Sequence, residues 1–469
     1  MSVTEVSQGQ HVAVLAFPYG GHGLTMISLT RRLASAAPNV QFSFFSTAKS
    51  NARLFPVRKS SINAGSIRPF NVDDGMPLNH VVKESSPEAV ELFLKAAPVS
   101  FKKAMDTAVS ETGRGFSCLL TDAFLAPFAD EMAAELQVPW IPLYCTTPYD
   151  LSANVYTDLI RQRFLNSSRS HGNDETIKHQ RLDFVPGLSL FQVMDLPQGI
   201  LPTDSSKESL LSWTLSKTRN IMPKAAAIVI NFCQELYPVP LQNDLYSLFP
   251  NLLNVGFLTL ELPPPRLPPS SSDETGCLSW LDTRNPKSVV YIAFGTVSKL
   301  PPAEIMELAA AVEESQIPFL WVLDENSRQF LPTGFLENVS SFGKFVSWAP
   351  QTQVLGHPST GVFITHSGSN SVFESIANEV PMICRPFFGD QPMNGRLVEE
   401  VWGIGVRIKG LVLTKSGVVK SLKLVLEDEV GKKMREKIHE LNKLVLKAAA
   451  PNGRATQDFK SLVELILIL

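Results

Sequence analysis

Cysteine is scarce in this sequence: five of its 469 residues are cysteines, and they are scattered along the chain. An odd number without paired spacing argues against a disulfide scaffold, and no two of them stand at the spacing of a zinc-ligand pair. Cysteines that stay reduced are typical of intracellular proteins. We therefore expect a reducing compartment, in which each cysteine is a small core residue rather than a nucleophile.

Long apolar runs and an excess of either charge are also lacking. No run reaches the roughly 18 residues of a membrane helix, and residues 1–10 carry no signal-peptide pattern. The formal net charge is -3 and the isoelectric point is about 6.3, so the sequence offers no electrostatic footprint for nucleic acid or an anionic membrane. These absences predict a cytoplasmic protein that binds neither.

What the sequence does contain is a repeated alternation of apolar β-rich runs and helical patterns. Runs at residues 11–17, 41–47 and 118–122 alternate with helical patterns such as residues 24–36. Residues 262–273, rich in proline and serine, interrupt this alternation as an exposed linker, and it then resumes. Further strands are predicted at residues 140–144, 227–231, 288–294, 319–323, 361–365 and 381–385, and further helices at residues 128–137, 302–314 and 415–449. The sequence therefore predicts an α/β protein with two parallel-sheet domains.

A glycine-rich turn, Gly20-Gly-His-Gly23, follows the first predicted strand. Its spacing is not that of a dinucleotide fingerprint, and no acidic residue ends the second strand, which argues against a nicotinamide cofactor. His22 is the residue of this turn that titrates near neutral pH. Asp122, at the end of another strand, can orient a histidine ring or cap the next helix. Spacing alone does not pair the two residues, and a turn histidine without a role stays the alternative for His22.

A second constellation spans residues 348–391 and begins with an aromatic turn at Trp348. Within it, residues 365–371 form a loop of glycine, serine and asparagine that opens a helix. Such a loop at a helix N-terminus is suited to cradle phosphate groups. Glu374 lies inside that helix, where it can bond a ribose hydroxyl or remain a solvated surface charge.

The block from Trp348-Ala-Pro-Gln351 to Asp390-Gln391 resembles the C-terminal signature of the plant family of UDP-dependent glycosyltransferases. The resemblance extends over most of the chain and includes His22, the Asp122-Ala-Phe segment and residues 288–296. Four segments are most similar to flavonoid 3-O-glucosyltransferases: residues 44–47, 156–160, 184–187 and 385–391.

The resemblance implies a GT-B fold, in which two Rossmann-like domains face a cleft. It implies an acceptor-binding domain over residues 1–250, a linker over residues 251–275 and a UDP-sugar-binding domain over residues 276–450. A C-terminal helix over residues 451–469 is expected to pack back on the first domain.

The resemblance also implies roles for particular residues. His22 is the implied general base and Asp122 its partner. Trp348 is implied to stack on uracil, and Asp390 and Gln391 to bind the sugar. The full implied set of donor-binding residues is Thr296, Trp348, Ala349, Gln351, His366, Gly368, Ser369, Asn370, Ser371, Glu374, Asp390 and Gln391. Among them Glu374 is implied to bind the ribose, and His366, Asn370, Ser371 and Thr296 the diphosphate. The implied acceptor contacts are Phe17, Gly20, Cys145 and Phe387.

The implied reaction is an inverting, metal-independent transfer of a sugar from a UDP-sugar to a hydroxyl of a flavonoid-like phenol, with the 3-hydroxyl favoured. Glucose is the expected sugar, since Gln391 favours it over galactose in this family. No cofactor is implied besides the UDP-sugar, and a monomer is expected. Other donors (UDP-rhamnose, UDP-xylose, UDP-galactose), a binding relative with little or no turnover, and a regulatory partner protein stay open as alternatives. The intact His22 and Asp122 argue against the last.

The chain departs from the family signature at several positions. In the phosphate loop Ser367 stands where cysteine is usual, and Ser369 where tryptophan is usual. Cys145 replaces a common threonine, residues 378–379 replace a glycine pair, and residues 126–127 replace a segment with tryptophan. Because a large aromatic beside a ligand contributes apolar contact, Ser369 predicts weaker binding of UDP-glucose than in relatives that keep the tryptophan.

Overall fold

The computed structural model describes residues 9–56, 66–77, 86–168, 174–201, 208–265, 267 and 273–468. The first-half strands are β1 (His11–Leu15), β2 (Gln41–Thr47), β3 (Ile67–Val72), β4 (Cys118–Asp122), β5 (Trp140–Tyr144), β6 (Ile228–Ile230) and β7 (Leu252–Asn254). The second-half strands are β8 (Val289–Ala293), β9 (Phe319–Val322), β10 (Gly343–Val346), β11 (Thr360–Thr365), β12 (Met382–Cys384) and β13 (Gly405–Arg407). They form two sheets, in the orders β3-β2-β1-β4-β5-β6-β7 and β10-β9-β8-β11-β12-β13. All of these pairings are parallel.

Helices connect the strands of both sheets. Those of the first half are α1 (His22–Ala36), α2 (Ala48–Leu54), α3 (Pro87–Thr112), α4 (Ala126–Leu136), α5 (Pro148–Val155), α6 (Thr157–Ser168), α7 (Asp174–Lys178), α8 (Leu210–Ser216), α9 (Thr218–Ile221) and α10 (Val239–Leu248). Those of the second half are α11 (Cys277–Leu281), α12 (Pro302–Ser315), α13 (Glu325–Arg328), α14 (Phe335–Asn338), α15 (Gln351–Leu355), α16 (Ser369–Ala377), α17 (Gln391–Arg396), α18 (Lys415–Leu426), α19 (Glu429–Ala449) and α20 (Arg454–Ile468). Among the described residues, no helix combines the length and the apolar character that crossing a membrane requires.

The central strand β1 shows why an unbroken apolar run forms a strand here. All five of its residues are buried. Val12 and Val14 pack in one core cluster, whereas Ala13 and Leu15 pack in another. Side chains of a strand alternate between its two faces, so both faces of the sheet are covered by helices. Since both faces are covered, the polar residues that follow such a strand lie at its carboxyl end.

Aromatic packing joins the two halves of the chain. The rings of Phe257 and Phe373 stack with centroids 4.2 Å apart, and Phe232 stacks on Trp402. These contacts bury apolar surface between the two halves of the chain and so stabilise their packing.

The last helix, α20, returns to the first sheet. Leu462 and Ile466 belong to the same core cluster as Val12 of β1. At its start, Asp458 Oδ2 accepts a hydrogen bond from the backbone N–H of Asn254 in β7, at 2.8 Å.

The structure confirms the central strands of the sequence-based prediction and corrects several boundaries. Strands β2, β4 and β5 occupy the predicted residues, but β1 ends at Leu15 and α1 begins at His22. The helix predicted over residues 415–449 is two helices, separated by Glu427 and Asp428. Strands β3, β7, β10 and β13 were not predicted.

Parts of two sequence-based predictions lie outside the described residues. Residues 266 and 268–272 of the predicted proline- and serine-rich linker lie outside the described residues. Residues 1–8 at the N-terminus also lie outside them. The remaining linker residues from 262 to 267 carry no helix or strand.

Candidate active site

His22 and Asp122 lie at the carboxyl edge of the first sheet. His22 is the first residue of α1, and Asp122 is the last residue of β4, the neighbour of β1. Parallel neighbours end at the same edge, so the two side chains meet: His22 Nδ1 lies 2.7 Å from Asp122 Oδ2. The other oxygen, Oδ1, accepts a hydrogen bond from the backbone N–H of Phe124 at 2.9 Å. Asp122 therefore both orients the histidine and caps the following turn.

The surroundings of His22 raise its basicity. Its ring lies against the rings of Phe17 and Phe124, with centroids 5.2 Å and 4.7 Å away. Burial by itself lowers the pKa of His22, but the charge and hydrogen bond of Asp122 outweigh it, so the pKa is raised above 6.5. With Nδ1 bonded to Asp122, Nε2 is the ring nitrogen left to accept a proton from a substrate.

Cys145 is the third member of this cluster. Its Sγ lies 3.4 Å from Asp122 Oδ2. Burial and the charge of Asp122 raise the pKa of the Cys145 thiol well above its usual range, so the thiol stays protonated and donates. In the described part of the chain, His22, Asp122 and Cys145 are the one set of three possible metal-ligating groups with ligand atoms within 4.8 Å of one another. Asp122 Oδ2 is hydrogen-bonded to both other groups, so the three side chains form a hydrogen-bonded cluster centred on this carboxylate.

The predicted acceptor contacts differ in their exposure. Gly20 is exposed and has φ +59°, a conformation that glycine adopts without strain. Phe17 is 4% exposed and packs behind the histidine. The Phe387 ring, in the second half, lies beneath the guanidinium of Arg385 at 3.8 Å. We expect Gly20 to contact an acceptor directly and Phe17 to shape the pocket from behind.

His366, which is predicted to bind the diphosphate, lies beside the start of α16. It follows the last residue of β11, and Gly368 is the N-cap of the helix. A Cβ at Gly295 or Gly368 would lie 2.8 Å or 2.5 Å from the His366 ring, so both glycines make room for it. Burial lowers the pKa of His366 to about 4, which keeps it neutral at pH 7. His366 can therefore donate a hydrogen bond to a phosphate, while the helix N-terminus supplies the positive potential.

Three further residues predicted to bind the diphosphate lie around this helix end. Thr296 is exposed in the turn after β8, and Ser371 Oγ accepts a hydrogen bond from Gln351 Nε2 at 2.9 Å. Asn370 faces the other half of the chain: a Cβ at Gly21 would lie 2.6 Å from Asn370 Nδ2. The phosphate loop and the turn that carries the paired histidine therefore adjoin.

Trp348 and Ala349 are predicted to contact the nucleoside. The Trp348 side chain is 64% exposed, which leaves an aromatic face open for stacking on a base. Ala349 beside it is buried, at 6% exposure. Their placement is compatible with the predicted uracil contact.

Glu374 is held in place rather than solvated. Its Oε2 accepts a hydrogen bond from Gln351 Nε2 and its Oε1 from Thr352 Oγ1, both at 2.6 Å. Burial raises the pKa of Glu374, and these two hydrogen bonds offset part of that effect. Tyr291 in turn donates to Gln351 Oε1 at 3.2 Å. Sequence reasoning missed Thr352 and Tyr291, because neither residue type nor spacing marks a supporting hydrogen bond.

Asp390 and Gln391 lie at the N-terminal end of α17. Gln391 Oε1 accepts hydrogen bonds from the backbone N–H of Phe387 at 2.9 Å and of Phe388 at 3.3 Å, which fix the orientation of its amide. Asp390 Oδ2 lies 2.5 Å from Ser369 Oγ and 2.7 Å from Asn394 Nδ2. Asn394 was not among the predicted residues, although it follows the Asp-Gln pair by one helical turn.

A second buried carboxylate near His22 was also missed. Asp150 Oδ2 accepts hydrogen bonds from Tyr144 OH and Thr146 Oγ1, both at 2.7 Å. Burial and the charge of Asp390 raise the pKa of Asp150 to about 6. Its charge in turn helps to raise the pKa of His22. No sequence motif marks Asp150, since it reaches the site only through the packing of α5.

Comparisons with known proteins agree with this geometry. Residues 252–445 match the family model described as "UDP-glucoronosyl and UDP-glucosyl transferase". The chain is 44% identical over 464 residues to an anthocyanidin 3-O-glucosyltransferase of Vitis vinifera, covering 99% of each. It is 45% identical over 467 residues to an anthocyanidin 3-O-galactosyltransferase of Actinidia chinensis var. chinensis, again covering 99% of each.

The similarity extends to a solved structure. The crystal structure of a UDP-glucose: anthocyanidin 3-O-glucosyltransferase in complex with UDP superimposes with a TM-score of 0.89 at 42% identity, covering 98% of this chain and 99% of that one. The predicted GT-B fold is thereby confirmed. With its site geometry and these full-length matches, the chain belongs to the plant family of UDP-dependent glycosyltransferases.

Proposed function

We propose that this enzyme transfers glucose from UDP-glucose to the 3-hydroxyl of a flavonoid, with inversion at the anomeric carbon and without a metal ion. The observation that carries the proposal is the 2.7 Å contact of His22 with Asp122, placed beside the phosphate loop. The names of the relatives, which act on anthocyanidins at the 3-position, support the acceptor class.

In the proposed reaction His22 Nε2 takes the proton of the acceptor hydroxyl. The acceptor oxygen then attacks the anomeric carbon, and the bond from that carbon to the diphosphate oxygen breaks on the opposite face. Asp122 stabilises the imidazolium that forms. UDP leaves with the bonding electrons, and its added negative charge lies at the N-terminus of α16, where N–H groups stabilise it.

UDP-glucose is the first candidate for the donor, and a second candidate follows from the comparisons. The hydrogen bond that Gln391 Oε1 accepts from Phe387 would leave Nε2 to donate to a sugar hydroxyl, and the family resemblance associates this glutamine with glucose. Similarity over the full length does not separate the two hexoses, because relatives named for glucose and for galactose are 44% and 45% identical to this chain. UDP-galactose is therefore the second candidate.

The decisive experiment is a donor-by-acceptor panel on the purified full chain. UDP-glucose, UDP-galactose, UDP-rhamnose and UDP-xylose are each offered with a flavonol and an anthocyanidin, and the products are identified by NMR. We expect a flavonoid 3-O-β-glucoside as the main product, with His22→Ala as the control that forms far less of it. An α-linked product, another preferred donor, or binding of UDP-glucose without turnover would each contradict the proposal.

We also propose how the chain is divided and where it works. Residues 1–250 bind the acceptor, residues 251–275 link the domains, residues 276–450 bind the UDP-sugar, and residues 451–469 return to the first domain. The contact of Asp458 with β7 supports this return. We propose a cytoplasmic monomer without nucleic-acid or membrane partners, which light scattering of the pure protein and cell fractionation will test.

A further inference from the structure

The serine at position 369 has a hydrogen-bonding role that its size alone does not suggest. We propose that Ser369 is a positioning residue for the donor sugar: it holds the carboxylate of Asp390 so that one oxygen faces the sugar hydroxyls. The inference rests on the proposed function and deepens it, because it assigns donor recognition to a residue at which this chain departs from the family signature.

The first step is the closed arrangement of three polar side chains. Ser369 Oγ donates to Asp390 Oδ2 at 2.5 Å, and Asn394 Nδ2 donates to the same oxygen at 2.7 Å. Asn394 Nδ2 also lies 3.2 Å from Ser369 Oγ. Hydrogen bonds to a carboxylate are stronger than those between neutral groups, so two donors on one oxygen fix the orientation of Asp390.

The second step concerns the oxygen that remains. Within the described residues no hydrogen bond reaches Asp390 Oδ1, and Asp390 and Ser369 are both partly exposed, whereas Asn394 is buried at 1% exposure. Asn394 is held from behind by the backbone carbonyl of Ser367, at 3.0 Å. Two donors therefore hold Oδ2, and Oδ1 keeps its lone pairs to accept a hydrogen bond from a sugar hydroxyl.

The third step concerns the size of the residue. A serine hydroxyl at the first position of α16 reaches Asp390, whereas an indole at the same position has no group that can make this bond in the same place. The site is therefore built around the serine, and Ser369→Trp is expected to displace Asp390. This geometry argues against the sequence-based expectation that Ser369 is simply a lost contact.

The test compares Ser369→Ala, which removes the hydroxyl, with Ser369→Thr, which keeps it. Calorimetry measures the affinity of each purified protein for UDP-glucose and for UDP, and steady-state kinetics gives KM for UDP-glucose and kcat. We expect Ser369→Ala to weaken UDP-glucose binding roughly tenfold, with UDP affinity unchanged, and Ser369→Thr to restore most of the loss. Thermal unfolding checks that all three proteins are equally folded.

The outcomes distinguish this inference from the proposed function. Equal UDP-glucose affinity in Ser369→Ala and the parent, or equal losses in Ser369→Ala and Ser369→Thr, would overturn the positioning role and leave the transferase function standing. If Ser369→Ala weakens UDP-glucose binding but the parent transfers no sugar to any flavonoid, the proposed function fails and the role of Ser369 stands. Improved use of UDP-glucose by Ser369→Trp would also overturn the inference.

Discussion

Gly21 and Asn370 approach each other so closely that a Cβ on Gly21 would lie 2.6 Å from Asn370 Nδ2. Gly21 precedes His22, the proposed base, and Asn370 belongs to the loop of the other half that is proposed to bind the diphosphate. The contact therefore joins the two parts of the proposed site, which would act on the two ends of one reacting bond.

Gly21→Ala is expected to impair the donor site without unfolding the protein. The atom in the way is the end of a side chain, so the Asn370 amide moves aside while the backbone stays. We expect KM for UDP-glucose to rise roughly tenfold through the lost hydrogen bond, with an unchanged melting temperature. The matched control is Gly115→Ala, because nothing lies within 4 Å of the added Cβ there. Equal kinetics in both variants would show that Asn370 does not bind the donor.

His22→Ala removes the proposed base. We expect turnover to fall by roughly 10²–10⁴-fold, the usual contribution of a positioned acid or base, while UDP affinity measured by calorimetry stays the same. Asp122→Asn is expected to reduce turnover as well, because it removes the partner that fixes the tautomer and stabilises the imidazolium. Near-native rates of His22→Ala on a weakly acidic phenol would contradict the assignment.

The pH dependence follows from the raised pKa of His22. The base is active when neutral, so kcat/KM is expected to rise with pH, and the midpoint of this limb should lie above 6.5. Asp122→Asn removes the charge that raises the pKa of His22. The rise of kcat/KM with pH is therefore expected to move to lower pH, while the maximum rate falls. Profiles of both proteins between about pH 5 and 9 test this shift. If kcat/KM rises over the same pH range in both proteins, a group other than His22 controls the rate.

Metal independence is a separate expectation. The diphosphate is proposed to lie against the N-terminus of α16, with Asn370 and Ser371 as side-chain partners, so no divalent cation is needed to neutralise it. Activity should therefore survive dialysis against EDTA. A loss of activity that Mg²⁺ or Mn²⁺ restores would require a different account of the leaving group.

Asp195 is expected to matter for stability because it links the two halves. Its side chain, 0% exposed, accepts hydrogen bonds from Arg396 Nε at 2.8 Å and from Arg407 Nη1 at 2.6 Å. Asp195→Ala removes the buried carboxylate that the two guanidinium groups share and leaves Arg407 with Glu399 alone, at 3.0 Å, which should lower the free energy of unfolding by about 3 kcal/mol. Urea denaturation measures the change. Glu135→Ala removes an exposed partner of Lys102 and is the control that should barely alter the midpoint.

The sequence predicted the sheet centres better than their edges. Strands β2, β4 and β5 each carry several apolar residues within five to seven positions, and such short runs are recognisable without tertiary information. Strand β3 has two exposed residues in succession, Arg68 and Pro69, which break the alternation of a half-buried strand, and it lies at the sheet edge, where proline is tolerated. Strands β7 and β13 have three residues each, too few for a periodic pattern.

For the candidate active site, the sequence by itself indicated the chemistry: a histidine and a carboxylate at strand ends, a helix start suited to phosphate and a turn with an aromatic residue. These depend on residue type and local context. The tertiary structure alone decided which groups meet, because β1 and β4 are neighbours in the sheet and bring residues 100 positions apart to 2.7 Å. It also decided that Ser369 turns to Asp390, since a hydrogen bond depends on the direction of two side chains rather than on their distance along the chain.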